Sequence, residues 1–485
     1  MSNFLAIDQG TTSSRAIVFN SKLSAVVDSQ KEYKLSYPKD GWVEADPTDI
    51  LNTVKETVSN VLKYDNPINA CGITNQREST IVWSRETGDP IYPVIIWQDR
   101  RTHKLCKELK ENGYEKIVRD KTGLVIDPYF SATKIKWILD NVSGARDLAD
   151  DGKLMFGTID SFLIYSLTKE KGHYTDVTNA SRTMLFNINN MEWDKELLDL
   201  FNIPISMMPH VQPCDGNFGT LDIDGKCIGI KGVIGDQQSA LVGQNCFNYG
   251  DIKSTYGTGC FLMVNTKENI ITLEEGLLTT VGYQLNNEVS YAIEGSIYSC
   301  GNIIQWLRDK MKFFDNAKDS EVFLNDDGNS KNVHFLPAFN GLGAPYWNSD
   351  IRGGFYGITQ DSDNTDLITA AFKSICYQTK DITDLLEKNN IKISSLFVDG
   401  GMTANKTFCQ LLSNILQVNI SMPENIESTA LGACIVSQIA EGLSIDDLKL
   451  KLERLYRPDT ASISFYESDY LLWKEYIERT ISTIK

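Results

Sequence analysis

Hydroxyl side chains crowd a glycine near the start of the chain, in the stretch AIDQGTTSSR (residues 6–15). It holds Gly10, four serines and threonines, one acid and one base. A phosphate is satisfied by several converging donors, and a glycine lets the backbone come close to it. Short apolar runs on both sides predict a strand, a tight turn and a second strand. The stretch is interpreted as a hairpin whose tip binds phosphate; a polar turn that binds nothing is the alternative.

Two later stretches carry similar glycine turns. In STYGTGCFLMVN (residues 254–265), Gly257 and Gly259 precede an apolar run, and in SLFVDGGMTANKTF (residues 395–408) a predicted strand ends at Asp399 before a Gly-Gly turn. A helix is predicted from about Asn405, and a longer one over residues 366–388. Three glycine-bearing loops could together surround one polyphosphate.

Two aspartates follow apolar runs directly. Asp8 enters the first turn, and Asp236 comes after GVIG (residues 232–235). Phosphoryl transfer needs positioning, a magnesium ion and a carboxylate that accepts the proton of the nucleophile. Neither a P-loop nor an H-R-D catalytic loop is present, so any phosphate site is of another kind. For each aspartate alone, a turn or helix-cap role is the alternative.

Two charged or polar pairs could bind a small neutral polyol. Arg77 lies beside Glu78 in GITNQREST, and Asp236 lies beside Gln237 in GDQQSA. Hydroxyl groups require both donors and acceptors, and these four side chains supply both kinds. Solvated surface charge is the alternative for each pair.

Composition narrows the class of protein. A chain of 485 residues predicts two or three domains, and two large lobes fit that length. The 47 basic and 64 acidic side chains give a charge of 47 − 64 = −17, which argues against binding to nucleic acid or to an anionic membrane. The ten cysteines form no C-x-x-C pair and the four histidines are scattered, so no zinc site is predicted. We expect a protein of the reducing cytoplasm without a membrane span.

The two hairpins lie about half a chain apart, which indicates a duplicated α/β domain. The predicted hinge lies near residues 244–250, between GDQQSALVGQ and the second hairpin. We therefore expect domains at residues 1–246 and 247–485.

Taken together, these motifs identify a resemblance to the FGGY carbohydrate kinases, of the sugar kinase, actin and Hsp70-like ATPase superfamily, and within them to those that phosphorylate glycerol. The resemblance covers essentially the whole chain. Its motifs are DQGTTSSR (8–15), NQRE (75–78), WQDRRT (97–102), DPYFSATKIKWILDN (127–141), GDQQ (235–238), YGTG (256–259), GLGAPYW (341–347) and DGGMTAN (399–405).

The resemblance implies an α/β fold of two RNase H-like (actin-like ATPase) domains with a catalytic cleft between them. The first domain would bind the polyol and carry the first phosphate loop, and the second would bind the nucleotide. The implied reaction is phosphorylation of glycerol by ATP to sn-glycerol 3-phosphate, with Mg²⁺. A homo-oligomer, dimer or tetramer, is also implied.

Residue roles follow from the same resemblance. Asp236 is the implied general base, and Asp8 and Asp236 are the implied metal ligands. Trp97 and Phe261 are the implied apolar walls of the polyol site. The implied polyol-binding residues are Thr11, Arg77, Glu78, Tyr129, Asp236 and Gln237. The implied nucleotide-binding residues are Thr11, Thr12, Ser13, Arg15, Thr258, Gly301, Gln305, Gly401 and Asn405.

The sequence departs from the family pattern at two places. Lys373 stands where an acid or glutamine is usual, which bears on a salt bridge at that helix face. The segment 224–232 is short, and Cys227 replaces an arginine of the loop through which some relatives bind a sugar bisphosphate, so we do not expect that control. The alternatives are a family kinase for xylulose, gluconate or another polyol, and an actin-like or chaperone-like ATP-gated interaction protein.

Overall fold

Two mixed β-sheets, each with helices packed on it, organise the molecule. The computed structural model describes residues 2–64, 66–273, 276–324, 330–339, 341–348, 350–393, 395–424, 427–448 and 452–484. One sheet has six strands and the other has seven in these residues.

The first half of the chain forms the six-stranded sheet, further short strands outside that sheet, and the helices around them. Its strands are β1 (Asn3–Gln9), β2 (Ser13–Asn20), β3 (Ala25–Glu32), β4 (Leu35–Ser36), β5 (Glu44–Ala45), β6 (Ile68–Asn75), β7 (Ile81–Ser84), β8 (Val94–Ile95), β9 (Leu154–Gly157), β10 (Tyr174–Asp176), β11 (Phe186–Asn187), β12 (Glu192–Trp193), β13 (His210–Gln212), β14 (Thr220–Ile223) and β15 (Lys226–Gly235). Its helices are α1 (Pro47–Val61), α2 (His103–Glu111), α3 (Glu115–Thr122), α4 (Ser131–Asn141), α5 (Ala145–Asp150), α6 (Ile159–Leu167), α7 (Val177–Ala180), α8 (Lys195–Phe201) and α9 (Asp236–Gly243).

The second half of the chain forms the seven-stranded sheet and a separate two-stranded sheet. Its strands are β16 (Ile252–Tyr256), β17 (Cys260–Lys267), β18 (Leu278–Leu285), β19 (Glu288–Ile297), β20 (His334–Leu336), β21 (Gly354–Tyr356), β22 (Ser395–Asp399), β23 (Asn419–Pro423) and β24 (Leu452–Tyr456). Its helices are α10 (Gly301–Asp309), α11 (Asn364–Lys388), α12 (Lys406–Leu416), α13 (Ser428–Ala440) and α14 (Ile463–Ile484).

The two sheets share one topology, which confirms the predicted duplication. The first has the order β14-β15-β6-β1-β2-β3, and the second β18-β19-β17-β16-β22-β23-β24. In each, three antiparallel strands (β1-β2-β3 and β16-β17-β19) are followed by two parallel ones (β6-β15 and β22-β23). This is the RNase H-like arrangement expected of the actin-like superfamily.

Helices α9 and α13 join the two halves. A Cβ atom on Gly432 of α13 would overlap the carbonyl oxygen of Ser239 of α9, and a Cβ atom on Gly243 would overlap the carbonyl oxygen of Ser428. Only glycine allows such close backbone approach. One apolar core accordingly contains strand residues of both sheets together with the buried face of α13.

In the part of the chain that the structure describes, none of the helices is both long and apolar enough to traverse a bilayer.

Candidate active site

The polar residues of the first domain meet because three parallel strands end at one edge. In register, β1, β6 and β15 lie side by side, with Gln9 opposite Asn75 and Asn75 opposite Gly235. The carboxyl ends of neighbouring parallel strands are the usual place of ligand binding in α/β sheets. The edge thus brings together Asp8, the segment 76–78 and the start of α9 at Asp236.

Asp236 is held by one of its two carboxylate oxygens. Its Oδ1 lies 3.1 Å from Arg77 Nε in an ion pair and accepts from the backbone N–H of Gln237 at 2.7 Å. Among the described residues, Oδ2 has no hydrogen-bond partner. The side chain is 28% exposed.

Arg77 is one link in a buried chain of alternating charges. Its Nη1 lies 2.6 Å from Glu294 Oε2, and the other oxygen of Glu294 lies 2.8 Å from Arg182 Nη2. Arg182 Nε in turn lies 2.6 Å from Glu78 Oε1. Glu294 belongs to β19, whereas Arg77, Arg182 and Glu78 belong to the first domain, so the chain of charges crosses between the domains.

Burial and the neighbouring arginines act in opposite directions on the two carboxyl groups of this chain of charges. Burial by itself raises the pKa of Glu294, but Arg182 and Arg77 together bring that pKa down to about 2. Burial raises the pKa of Glu78, and Arg77 and Arg182 oppose that rise. Glu78 also has a left-handed backbone (φ 59°), and its carbonyl accepts from Ser131 Oγ at 3.0 Å and Lys134 Nζ at 3.3 Å. These two hydrogen bonds hold the left-handed backbone of Glu78 in place.

Three aromatic rings, those of Trp97, Tyr129 and Phe261, pack together beside these charges. The ring centroid of Trp97 lies 5.6 Å from that of Tyr129 and 6.2 Å from that of Phe261, both edge to face. Trp97 Nε1 donates to Thr11 Oγ1 at 2.9 Å, which ties the wall to the first glycine loop. Phe261 comes from β17, directly after the second glycine loop. Trp97 and Phe261, the two residues implied as apolar walls, thus contact each other across the domains.

The second glycine loop contacts both the start of α10 and the third glycine loop. The N–H of Gly301, at the start of α10, donates to the carbonyl of Gly257 at 2.9 Å, and that of Cys300 donates to the carbonyl of Thr258 at 3.1 Å. A Cβ atom on Gly400 (φ 93°) would overlap the carbonyl oxygen of Tyr256, the residue just before Gly257. This contact is the physical reason for glycine at position 400.

Asn405 lies where the third loop enters α12. Its Oδ1 accepts from the N–H of Phe408 at 2.8 Å and so caps the helix, while its buried Nδ2 lacks a hydrogen-bond partner among the described residues. Gly401 has open space where a side chain would be, and Gln305 is exposed on α10. A buried donor without a partner beside an open glycine loop is the setting expected of a nucleotide cradle.

The first glycine loop is closed by Gly10 N–H donating to the carbonyl of Ser13 at 2.9 Å. Thr12 is exposed, and Ser13 Oγ accepts from Gln30 Nε2 at 3.0 Å. Arg15 is engaged with carboxylates, Glu427 at 2.5 Å and Asp28 at 3.2 Å. Since Glu427 lies just before α13, this ion pair also bridges the domains.

Asp8 lies among other acids. Burial, followed by the carboxylates of Asp236 and Glu427, raises the pKa of Asp8 to about 7, against the opposing effect of Arg15. No cluster of three or more His, Cys, Asp or Glu in the described residues could hold a metal ion by itself. Mg²⁺, however, usually takes one or two protein carboxylates and completes its shell with phosphate oxygens and water. Two neighbouring carboxylates, Asp8 and Asp236, fit that donor set.

The structure brings the predicted polyol-binding residues together and adds some that sequence reasoning missed. Glu294, Arg182, Gln238 and Lys253 were not predicted. The signal was present for Glu294 and Lys253, because each is a charged residue inside an otherwise buried strand. Gln238 Oε1 accepts from Arg77 Nη1 at 3.2 Å. Lys373, which stands where the family usually has an acid or glutamine, forms an ion pair of 2.5 Å with Asp469 of α14 in the interior of the second domain.

This fold and cleft define a carbohydrate kinase. The N-terminal domain model of the FGGY family of carbohydrate kinases matches residues 3–243, and its C-terminal domain model matches residues 252–441. The chain therefore belongs to the FGGY family of carbohydrate kinases.

Named relatives extend along nearly the whole chain. A glycerol kinase of Marinomonas sp. (strain MWYL1) is 48% identical over 98% of this chain and 98% of its own length. Glycerol kinase 1 of Pseudomonas aeruginosa is 49% identical over 92% of each. The crystal structure of Plasmodium falciparum glycerol kinase with ADP superposes with a TM-score of 0.92 at 35% identity, covering 99% of this chain and 98% of that one. A xylulose kinase of Lactobacillus acidophilus shares the fold at 22% identity (TM-score 0.89).

Proposed function

We propose that this protein phosphorylates glycerol with ATP to give sn-glycerol 3-phosphate. The kinase class follows from the family. The observation that carries the choice of glycerol is the near-full-length identity of 48% and 49% with glycerol kinases. The site agrees with it, because Arg77, Glu78, Asp236 and Gln237 offer donors and acceptors to hydroxyl groups within a space walled by Trp97 and Phe261.

Asp236 is the proposed general base. Arg77 and the backbone N–H of Gln237 hold Oδ1, so Oδ2 accepts the proton of the terminal hydroxyl of glycerol. The hydroxyl oxygen forms a bond to the γ-phosphorus as the bond from that phosphorus to the bridging oxygen of ADP breaks. The second oxygen of Glu78, which Arg182 leaves free, accepts from another hydroxyl. The ion pair between Arg77 and Glu294 keeps the guanidinium group of Arg77 in place to donate to the polyol.

The three glycine loops are the proposed phosphate site. Magnesium, when bound through Asp8 and Asp236, supplies positive charge that offsets the developing charge on the phosphate oxygens. The proposed nucleotide-binding residues are Thr11, Thr12, Ser13, Arg15, Thr258, Gly301, Gln305, Gly401 and Asn405. Thr11 is also proposed to bind the polyol, as is Tyr129. Closure of the two domains would exclude water, a smaller competitor for the same phosphoryl group.

A substrate panel tests the proposal. ADP production should be measured with glycerol, dihydroxyacetone, xylulose and gluconate at limiting concentrations, and glycerol should give the highest kcat/KM. A higher value for a sugar would assign the protein to another member of the family. Slow ATP hydrolysis indifferent to every polyol, with filament formation or peptide binding, would instead favour an ATP-gated interaction protein.

Other features of the proposal rest on the sequence. They are a division between domains at residues 246 and 247, a dimer or tetramer, and a cytoplasmic location. Sedimentation velocity of the purified chain measures the oligomeric state directly.

A further inference from the structure

Lys253, a buried lysine of the second domain, contacts the polyol-binding helix α9 of the first domain. It is fully buried on β16, and its Nζ donates to Gln237 Oε1, to Thr255 Oγ1 at 3.3 Å and to the carbonyl of Phe261 at 3.3 Å. An ammonium group has three N–H donors, and here each has an acceptor. Lys253 therefore has no donor left for a ligand, and any effect on substrate passes through its partners.

The contact decides which way the carboxamide of Gln237 faces. A carboxamide has one acceptor end and one donor end, and an ammonium group only donates. Gln237 must therefore turn its oxygen toward Lys253. Its Nε2, which has no hydrogen-bond partner among the described residues, then faces away from Lys253 as a donor of two hydrogen bonds.

This orientation matters because the neighbouring groups are acceptors. Asp236 Oδ2 and the free oxygen of Glu78 both accept hydrogen bonds, and a hydroxyl group that donates to one of them still needs a donor for its own lone pairs. With its oxygen outward, Gln237 would be one more acceptor. With Nε2 outward, it complements the carboxylates.

We propose that Lys253 is a positioning residue that fixes the Gln237 carboxamide with its N–H groups toward the substrate, and so makes Gln237 a hydrogen-bond donor to a polyol hydroxyl. This inference rests on the proposed function, since it assumes a polyol in the site. It also makes the polyol site depend on both domains, because β16 and α9 must be in contact for Gln237 to be oriented. Burial lowers the pKa of Lys253, and the nearby carboxylate of Asp399 opposes that effect.

A double-mutant cycle tests whether Lys253 acts through Gln237. The variants are Lys253→Met, Gln237→Ala and the two combined, each assayed for KM of glycerol and for kcat. Loss of one oriented hydrogen bond should raise KM for glycerol by roughly 3- to 10-fold in Lys253→Met, with a smaller change in kcat. If Lys253 acts through Gln237, the double variant should have the KM of Gln237→Ala within a factor of about two. KM increases that multiply in the double variant would overturn the proposal.

A matched control separates orientation from the general loss of a buried lysine. Lys373→Met removes another buried lysine, which pairs with Asp469 on α14 outside the site. It should lower the thermal midpoint without changing KM for glycerol. A rise in KM equal to that of Lys253→Met would overturn the positioning role.

A second variant keeps the inference testable if Lys253→Met does not fold. In Gln237→Glu the carboxylate still pairs with Lys253, so the thermal midpoint should not fall, but no N–H remains for the substrate. KM for glycerol should rise by roughly 3- to 10-fold, and an unchanged KM would contradict the proposal. Turnover of glycerol by the unaltered protein judges the proposed function separately. If another polyol is the better substrate, the same cycle on that polyol tests Lys253.

Discussion

Glu294, on a strand of the second domain, forms a fully buried ion pair of 2.6 Å with Arg77, which follows the central strand of the first domain. The two residues are 217 positions apart in the chain. Because the same carboxylate also binds Arg182, one acid of the second domain orders two bases of the first. The proposed polyol site therefore depends on both domains.

Glu294→Gln should destabilise the protein. The substitution leaves two buried guanidinium groups with one carboxylate fewer, and breaking such a buried pair typically costs about 3–5 kcal/mol. Urea unfolding at pH 7 measures the loss. The conservative shape of glutamine makes charge the only large change, so a free energy of unfolding equal to that of the unaltered protein would show that the pair contributes nothing.

Lowering the pH should remove the difference in unfolding free energy between the unaltered protein and Glu294→Gln. The pKa of Glu294 is held at about 2 in the folded state, below its ordinary value of 4.5. A lowered pKa means that the stabilisation is complete above pH 4.5 and is lost as the pH falls toward 2. The unfolding free energies of the unaltered protein and Glu294→Gln should therefore converge over that interval. A difference that stays constant from pH 5 to pH 2 would contradict the assigned ion pair.

Asp236→Asn should lower kcat by roughly 10²- to 10⁴-fold, the usual scale for a lost general base. The amide oxygen can still accept from the backbone N–H of Gln237, so the fold and the thermal midpoint should be retained. Asp222→Asn, at an exposed aspartate of β14, is the matched control and should keep full activity. Near-normal kcat in Asp236→Asn would remove Asp236 from its proposed role.

Two substitutions at Asn405 distinguish its role as a helix cap from its proposed role in nucleotide binding. Asn405→Ala loses the acceptor for the N–H of Phe408 and should cost about 1 kcal/mol of stability. Asn405→Asp keeps that acceptor but, like alanine, lacks the Nδ2 donor. Both variants should raise KM for ATP, whereas only Asn405→Ala should unfold more easily. An unchanged KM for ATP in Asn405→Asp would restrict this residue to capping.

Gly432→Ala should disturb the junction of the two domains. The added methyl group would overlap the carbonyl of Ser239 and force α9 and α13 apart, which costs about 1–3 kcal/mol in a packed interior. Since α9 carries Asp236, kcat should fall as well. Ala440→Ser, at the partly exposed end of the same helix, should stay within about 0.5 kcal/mol of the unaltered protein by thermal unfolding.

Local sequence signals were enough for much of the fold. Apolar runs next to glycine turns predicted both hairpins, and the helix predicted over 366–388 is confirmed as α11 (Asn364–Lys388). The strand ending at Asp399 and the helix after Asn405 are confirmed as β22 and α12. These signals work because turn geometry and amphipathic periodicity involve residues that are close in the chain.

The sequence by itself determined the duplicated hairpins, the strand ends that carry Asp8 and Asp236, and the residue types that can bind a polyol and a phosphate. Only the tertiary structure decided that Glu294 pairs with Arg77 and that Lys253 donates to Gln237. Both are pairings between two domains, and nothing in the spacing of residues along a chain specifies which buried charge on one sheet will meet which partner on the other.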